Sequence, residues 1–495
     1  MMAQQTATRG DLALSPPTPR ISEDWLAVGA GLLIFLLALG LAAGADLLGW
    51  ATAPRTWVEI GKSVRQASPG YADWGPFALL VTTYGFVLAL STIAAALLGL
   101  GMVRFVLGFS LIYWLSYLAW LLGNYAYVAV TTPADMQRLG IGWSLRLTGE
   151  SGYLLALMLG LAIANFAPPL ARWLNEAARP ELYIKTAIVI LGGFLAVKAA
   201  EQLSLASTIM LRGLAAIVEA YLIYWAVVYF IARKWFGFSR EWAAPLASGI
   251  SICGVSAAIA TAGAIRARPL VPVMVSSLVV LFAMVELLIL PFLARSFLAD
   301  QPLVAAAWMG LAVKTDGAAV ASGAVTEALL YGDAATRGIK WSPGWVVGTT
   351  TTIKVFIDIF IGVWSFILAY VWTRHIEPRR AGDELRFGEI WERFPKFVLG
   401  FLVTFLLVLG LGLASSPPVL KTIDAAMAQA NVFRQLFFLF TFFSIGLMSD
   451  VRQLRQEGIG RLAAVYAVSL FGFVIWVGLL ISWLFFYRLV PPLAG

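Results

Sequence analysis

The 495-residue chain is 60% hydrophobic and only 13% charged, against roughly a quarter charged residues in an ordinary soluble domain. That balance excludes a water-soluble globule and points to one membrane-embedded bundle rather than several soluble domains. The formal net charge of +8 comes from Lys and Arg scattered through short loops, the pattern of positive-inside bias and not of a nucleic-acid surface. With one cysteine, Cys253, and one histidine, His375, the chain has no intramolecular disulfide and too few soft ligands for a structural zinc site.

Residues 1–22 are polar and Pro-containing, and no small-residue cleavage pattern follows the next apolar run. They read as a disordered cytoplasmic tail and not as a signal peptide. Runs of about twenty mostly apolar residues are the mark of helices that cross a bilayer. Three come first, near 25–49, 76–99 and 104–130, making a three-helix N-terminal region over 23–131. The segment 56–66 between the first two carries Trp57 and reads as interfacial. Ten more runs follow near 152–168, 183–200, 206–232, 243–266, 271–295, 303–326, 343–373, 396–416, 431–448 and 460–488. About thirteen crossings result, in an all-α polytopic membrane protein.

Basic residues weight one set of loops. Arg104, Arg172, Arg179, Arg233, Lys234, Arg240, Arg295, the loop 374–396, Arg452, Arg455 and Arg461 fall on the side of the N-terminus. Arg266, Arg268, Arg337, Lys340 and Lys421 fall on the other. The N-terminus is therefore expected in the cytoplasm and the C-terminus on the opposite side of the cell (inner) membrane.

Five crossings per half make an inverted repeat, here 152–295 and 303–488. Two echoes support it. Ile184-Lys185-Thr186-Ala187-Ile188 reads against Ile353-Lys354-Val355-Phe356-Ile357, and Ser251-Ile252-Cys253-Gly254 reads against Ser444-Ile445-Gly446-Leu447. Ser248, Gly249, Ser251, Gly254 and Ser256 crowd the middle of one apolar span. Small residues there serve either close helix packing or a helix broken in mid-membrane, whose freed backbone groups need partners. Their recurrence at Ser444 and Gly446 favours crossed, discontinuous helices in both repeats. Opposed N-terminal half-helix ends would suit an anion.

Ionisable residues inside apolar spans each cost roughly 2.5–3.5 kcal/mol or more unless they face protein or water. Lys314 and Asp316 flank Thr315, and Lys354 and Asp358 share one helix face. Two readings stand side by side. In one, the lysines attract a substrate anion while Asp316 or Asp358 exchanges a proton or binds a cation; in the other, the charges form buried Lys–Asp pairs. Glu219 is a further coupling or helix-pairing residue. Lys185 is placed near a helix end, where it would snorkel, and Cys253 reads as a packing residue. No Walker, HExxH or GxSxG pattern occurs, so neither ATP-driven pumping nor common hydrolase chemistry is expected, nor any cofactor beyond a coupling Na⁺ or H⁺.

The residues SGISICGVSAAIATAGAI, LALMLGLAIAN (155–165), AAWMGLAVKTDGAAVASGAV and FFSIGLMSDVRQLRQEG together resemble, in order, motifs of the YeiH-type family of proposed sulfate exporters. The resemblance covers roughly 150–488. It implies a transporter related in architecture to bile-acid symporters and cation/proton antiporters, with crossed broken helices and elevator motion. It also implies a small anionic substrate. The lipid bilayer and a second copy of the chain, in a homodimer, are the other partners expected. This chain departs from the family where a His-Glu pair is replaced by Lys314-Thr315-Asp316, and in carrying two more N-terminal spans than the family's short members. A sodium/proton antiporter on the same scaffold and a membrane scaffold or sensor without transport are the competing readings.

Overall fold

A computed structural model describes residues 21–130, 133–145, 149, 151–268, 270–376, 391, 395–449 and 460–494. The expected tail over residues 1–20, most of the basic loop 374–396, and Arg452 and Arg455 lie outside the described residues.

The chain is almost wholly helical because long runs of Leu, Ala, Val and Phe leave backbone hydrogen bonding within each segment as the only satisfied arrangement in lipid. Helix α1 (Glu23–Leu39) leads into a two-stranded antiparallel hairpin, β1 (Thr52–Pro54) and β2 (Val64–Gln66), followed by α2 (Pro76–Leu97) and α3 (Met102–Gly123). The hairpin occupies the segment read from sequence as interfacial, and it is the one exception to an all-α fold among the described residues. Next come α4 (Ser151–Phe166), α5 (Pro180–Glu201) and α6 (Leu203–Trp235). Helices α7 (Arg240–Ser251) and α8 (Val255–Ala264) are two halves of one interrupted segment. After α9 (Leu270–Phe297) comes a second interrupted segment, α10 (Pro302–Ala312) and α11 (Asp316–Thr336). The chain ends with α12 (Trp345–Ile359), α13 (Ile361–Val371), α14 (Lys396–Ala414), α15 (Pro417–Leu447) and α16 (Gly460–Phe486).

Among the described residues, 10 helices are long and apolar enough to cross a membrane, or 11 if α4 and the short helix Pro168–Leu174, bent by 118°, make one span. The sequence expectation of about thirteen counted 243–266 and 303–326 as whole spans; in the fold each is a pair of shorter helices.

One expectation is overturned. The Ser444–Gly446 segment is not broken: α15 runs unbroken for 31 residues, from Pro417 to Leu447. The reason lies at Gly446, where a Cβ would fall 2.2 Å from Leu157 O of α4; a Cβ at Gly160 would likewise fall 2.1 Å from Phe443 O. The two glycines let the helices touch backbone to backbone, the packing explanation for small residues. The second interruption lies instead at Val313–Thr315, between α10 and α11.

Two apolar cores organise the bundle. One gathers α1 to α5, α14 and α15. The other gathers α6, α7, α8, α10 and α16, with α9, α11 and α12 contributing to both. Ile252, Cys253 and Val313, at the interruptions, belong to the second core, whereas Ile445 and Leu447 belong to the first. Helix α1 is fastened to α5 by Asp24, which pairs with Lys185 at 2.8 Å, and by Glu23, which pairs with Arg179 at 3.2 Å. Lys185 is thus buried and paired, not snorkelling; Glu181 completes its partners at 3.3 Å.

Candidate functional site

The first interruption forms where Gly254 takes φ +73 and ψ −112, a conformation open only to glycine. A Cβ there would also fall 2.7 Å from Val279 Cγ1 and 3.1 Å from Lys314 O. The two interruptions therefore lie against each other. The second forms without glycine: Val313 is extended and Thr315 caps α11, its Oγ1 accepting from Ala318 N at 3.2 Å.

Helices α7 and α10 both end at the meeting point, and their last turns leave carbonyls without helical partners. Lys354, reaching in from α12, answers them. Its Nζ donates to Ile252 O at 2.9 Å, to Lys314 O at 3.1 Å and to Val313 O at 3.3 Å. One buried ammonium therefore bridges both interruptions, at the partly negative ends of two half-helices. Lys314 lies against the same region: its backbone N donates to Glu286 Oε2 at 3.1 Å, and its Nζ bonds Leu311 O and sits 4.4 Å from the centre of the Tyr224 ring.

Helices α8 and α11 begin at the meeting point, where the partial charge is positive. Asp316 is the first residue of α11, and Asp358 projects from α12 one turn beyond Lys354. Atoms of Asp316, Asp358 and Cys253 lie within 4.8 Å of one another, all three residues buried. Neither oxygen of Asp358 makes a hydrogen bond among the described residues, nor does Asp316 Oδ1. Both lysines have their Nζ hydrogen bonds on backbone carbonyls, and no Lys314 or Lys354 ion pair with an Asp occurs among the described residues. The simple buried Lys–Asp pair is therefore not the arrangement found.

The other sequence-selected residues sort around this point. Ser248 Oγ accepts from Trp225 Nε1 at 2.9 Å and bonds Thr261 Oγ1 at 2.7 Å, tying α7 to α6 and α8. Gly249 packs against Val275 and Val279. Ser251 is buried at the end of α7 with its hydroxyl unbonded, and Ser256 is half-buried in the first turn of α8. Glu219, in a π-helical turn of α6, is buried with both carboxylate oxygens unbonded. Ser444 is buried and its hydroxyl unbonded, but it lies on unbroken α15 and Gly446 faces α4. Helix α15 still passes close to the second interruption, since a Cβ on Gly317 would lie 3.5 Å from Thr441 Cγ2 and 3.7 Å from Ile445 Cδ1.

Sequence reasoning missed two members. Glu286 sits in the apolar run LVVLFAMVELLIL of α9, and the rule that selected Glu219 applies to it equally. Cys253 was placed as packing because its carboxylate neighbours come from segments 63 and 105 residues away.

Unbroken apolar helices around two buried interruptions and a cluster of ionisable groups define a multi-pass α-helical membrane protein. The family model described as "Conserved hypothetical protein 698" matches residues 143–465, and the chain belongs to this family, that of the YeiH-type proteins. A UPF0324 membrane protein of Nitrosomonas europaea is 41% identical over 95% of this chain and 97% of its own length. A UPF0324 membrane protein of Rhodopirellula baltica is 31% identical over 61% of this chain and 51% of its own. A protein of Archaeoglobus fulgidus is 45% identical over 33% of this chain and 96% of its own. No solved structure matches.

Proposed function

We propose that the protein is a secondary active transporter of a small anion, sulfate or a related oxyanion or organic anion, coupled to protons or sodium at Asp316 and Asp358. In this reading thirteen crossings comprise three N-terminal helices and two inverted five-helix repeats, 152–295 and 303–488. They sit in the inner membrane with the N-terminus cytoplasmic and the C-terminus opposite. The observation that carries the proposal is the meeting of two interrupted helices over Lys354, beside two buried carboxyl groups, with both oxygens of Asp358 and Oδ1 of Asp316 unbonded among the described residues. Such discontinuities near the middle of a bundle are where transporters place substrate and coupling ions.

The geometry suggests how coupling would work. An anion is drawn to the N-terminal ends of α8 and α11, lined by Ser251, Ser256 and Thr315. Ionised, Asp316 at the start of α11 and Asp358 of α12 beside it repel the anion. Protonated, they restore the positive potential of the half-helices and can donate hydrogen bonds themselves. Proton and anion then favour each other's binding, and linkage makes the preference reciprocal. Lys354 is a positioning residue that holds the carbonyl ends together, and Lys314 supplies positive charge nearby. Division of the bundle into two apolar cores, with both interruptions in one of them, supports elevator motion of one core against the other.

The closeness of Asp316, Asp358 and Cys253 supports sodium/proton antiport as the second reading, because two carboxylates and a thiol could hold a cation. Proteoliposomes with an internal pH dye separate the two. The anion reading expects an imposed sulfate gradient to move protons while sodium, added with an impermeant anion, does not. A sodium-driven pH change without sulfate would install the antiport reading instead. A scaffold without transport would move neither.

A further inference from the structure

A second polar region lies far along the chain from the crossing. The hairpin β1–β2, the end of α3 and the middle of α15 border an open cavity of ≈ 740 Å³. Arg55 and Arg65 come from the hairpin, Gln66 from its second strand, Asn124 from the end of α3, and Asn431 and Gln435 from α15. Among the described residues the lining holds two arginines and no Asp or Glu.

The wall is built rather than incidental. Thr52 N donates to Thr83 Oγ1 at 3.1 Å, which fixes the hairpin to α2, and the Thr52 hydroxyl donates to Arg65 O at 3.1 Å. Arg55 N donates to Ser63 O at 2.9 Å, and Arg55 Nε bonds Lys62 O. Across the cavity, Asn431 Oδ1 accepts from Arg434 Nε at 2.5 Å. Gln435 lies eighteen residues, about 27 Å of helix, beyond the start of α15. The cavity thus follows α15 inward, and further along this helix Thr441 and Ile445 lie close to Gly317 at the start of α11.

We propose that this cavity is a binding site for a small oxyanion or sulfonate, held by Arg55 and Arg65 with the carboxamides of Gln66, Asn431 and Gln435. Guanidinium groups suit such ligands because their donors match two oxygens at once. The hairpin lies outside residues 143–465, so this site is a contribution of the N-terminal region to the family bundle. The site captures anions at the mouth of the protein, and in that role it rests on the anion reading of the crossing; binding itself does not require the crossing to be coupled.

The test is titration calorimetry of the full chain in detergent with sodium sulfate and with sodium methanesulfonate, at ionic strength held constant with sodium chloride. Wild type is expected to bind saturably. Arg55→Gln/Arg65→Gln weakens binding at least tenfold, with an unchanged melting temperature in the absence of ligand. Gln435→Leu, which alters only the α15 wall, weakens it less, and Asp316→Asn/Asp358→Asn leaves it in place. Equal binding by wild type and the double arginine variant, or no saturable binding by wild type, overturns the proposal. Loss of binding in the aspartate variant with retention in the arginine variant would place the anion at the crossing alone. If instead the arginine variant loses binding while sulfate-driven proton movement fails in wild type, the cavity stands and the coupling reading falls.

Discussion

Ser251-Ile252-Cys253-Gly254 and Ser444-Ile445-Gly446-Leu447 look alike in sequence and differ in structure. The first unwinds at Gly254, whose φ of +73 no other residue adopts comfortably. The second stays helical, and its glycine sits one place earlier, against Leu157 O of α4. In one segment the missing Cβ frees a backbone angle; in the other it admits a neighbouring backbone. A small-residue cluster in a membrane span therefore marks either a break or a tight contact, and only the partner on the other side decides which.

The same substitution at each glycine separates the two roles. Gly446→Ala is expected to have the larger effect on stability, because its Cβ meets backbone atoms that cannot turn away. Overpacking of this kind costs about 3 kcal/mol. A clear fall in melting temperature in detergent checks it, with residual transport in whatever protein remains folded. Gly254→Ala is expected to cost about 1–2 kcal/mol in backbone strain, some of it relieved by movement of the Val279 side chain. If the protein transports as proposed, its sharper effect is expected on transport rate, since the strain sits where α7 and α8 meet the Lys314 carbonyl. If Gly446→Ala stops transport without lowering stability, and Gly254→Ala leaves transport intact, the two roles are reversed.

Much of this architecture is legible in the residues. The apolar runs place almost every helix. Glycine and serine around Gly254 locate the first interruption, and the cost of buried charge selects Lys314, Asp316, Lys354 and Asp358. The second interruption is not legible in the same way. Ala312-Val313-Lys314-Thr315 contains neither Gly nor Pro, and the turn is opened by a local cap, Thr315, together with a distant donor, Lys354. Periodicity carries no record of a hydrogen bond across 40 or 41 residues. The Ile-Lys echo also concealed a division of labour. Lys354 binds carbonyls at the two interruptions, whereas Lys185 is held by Asp24 of α1 and by Glu181, so the N-terminal helix takes up Lys185.

The central claim is that proton and anion travel together because Asp316 stands at the start of α11 with Asp358 of α12 beside it. Its most direct test is the proton movement driven by a sulfate gradient in proteoliposomes, compared between wild type and Asp316→Asn/Asp358→Asn at equal amounts of folded protein. Proton movement in wild type, abolished in the variant, is the predicted result. The same sulfate-driven proton movement in both would contradict the account.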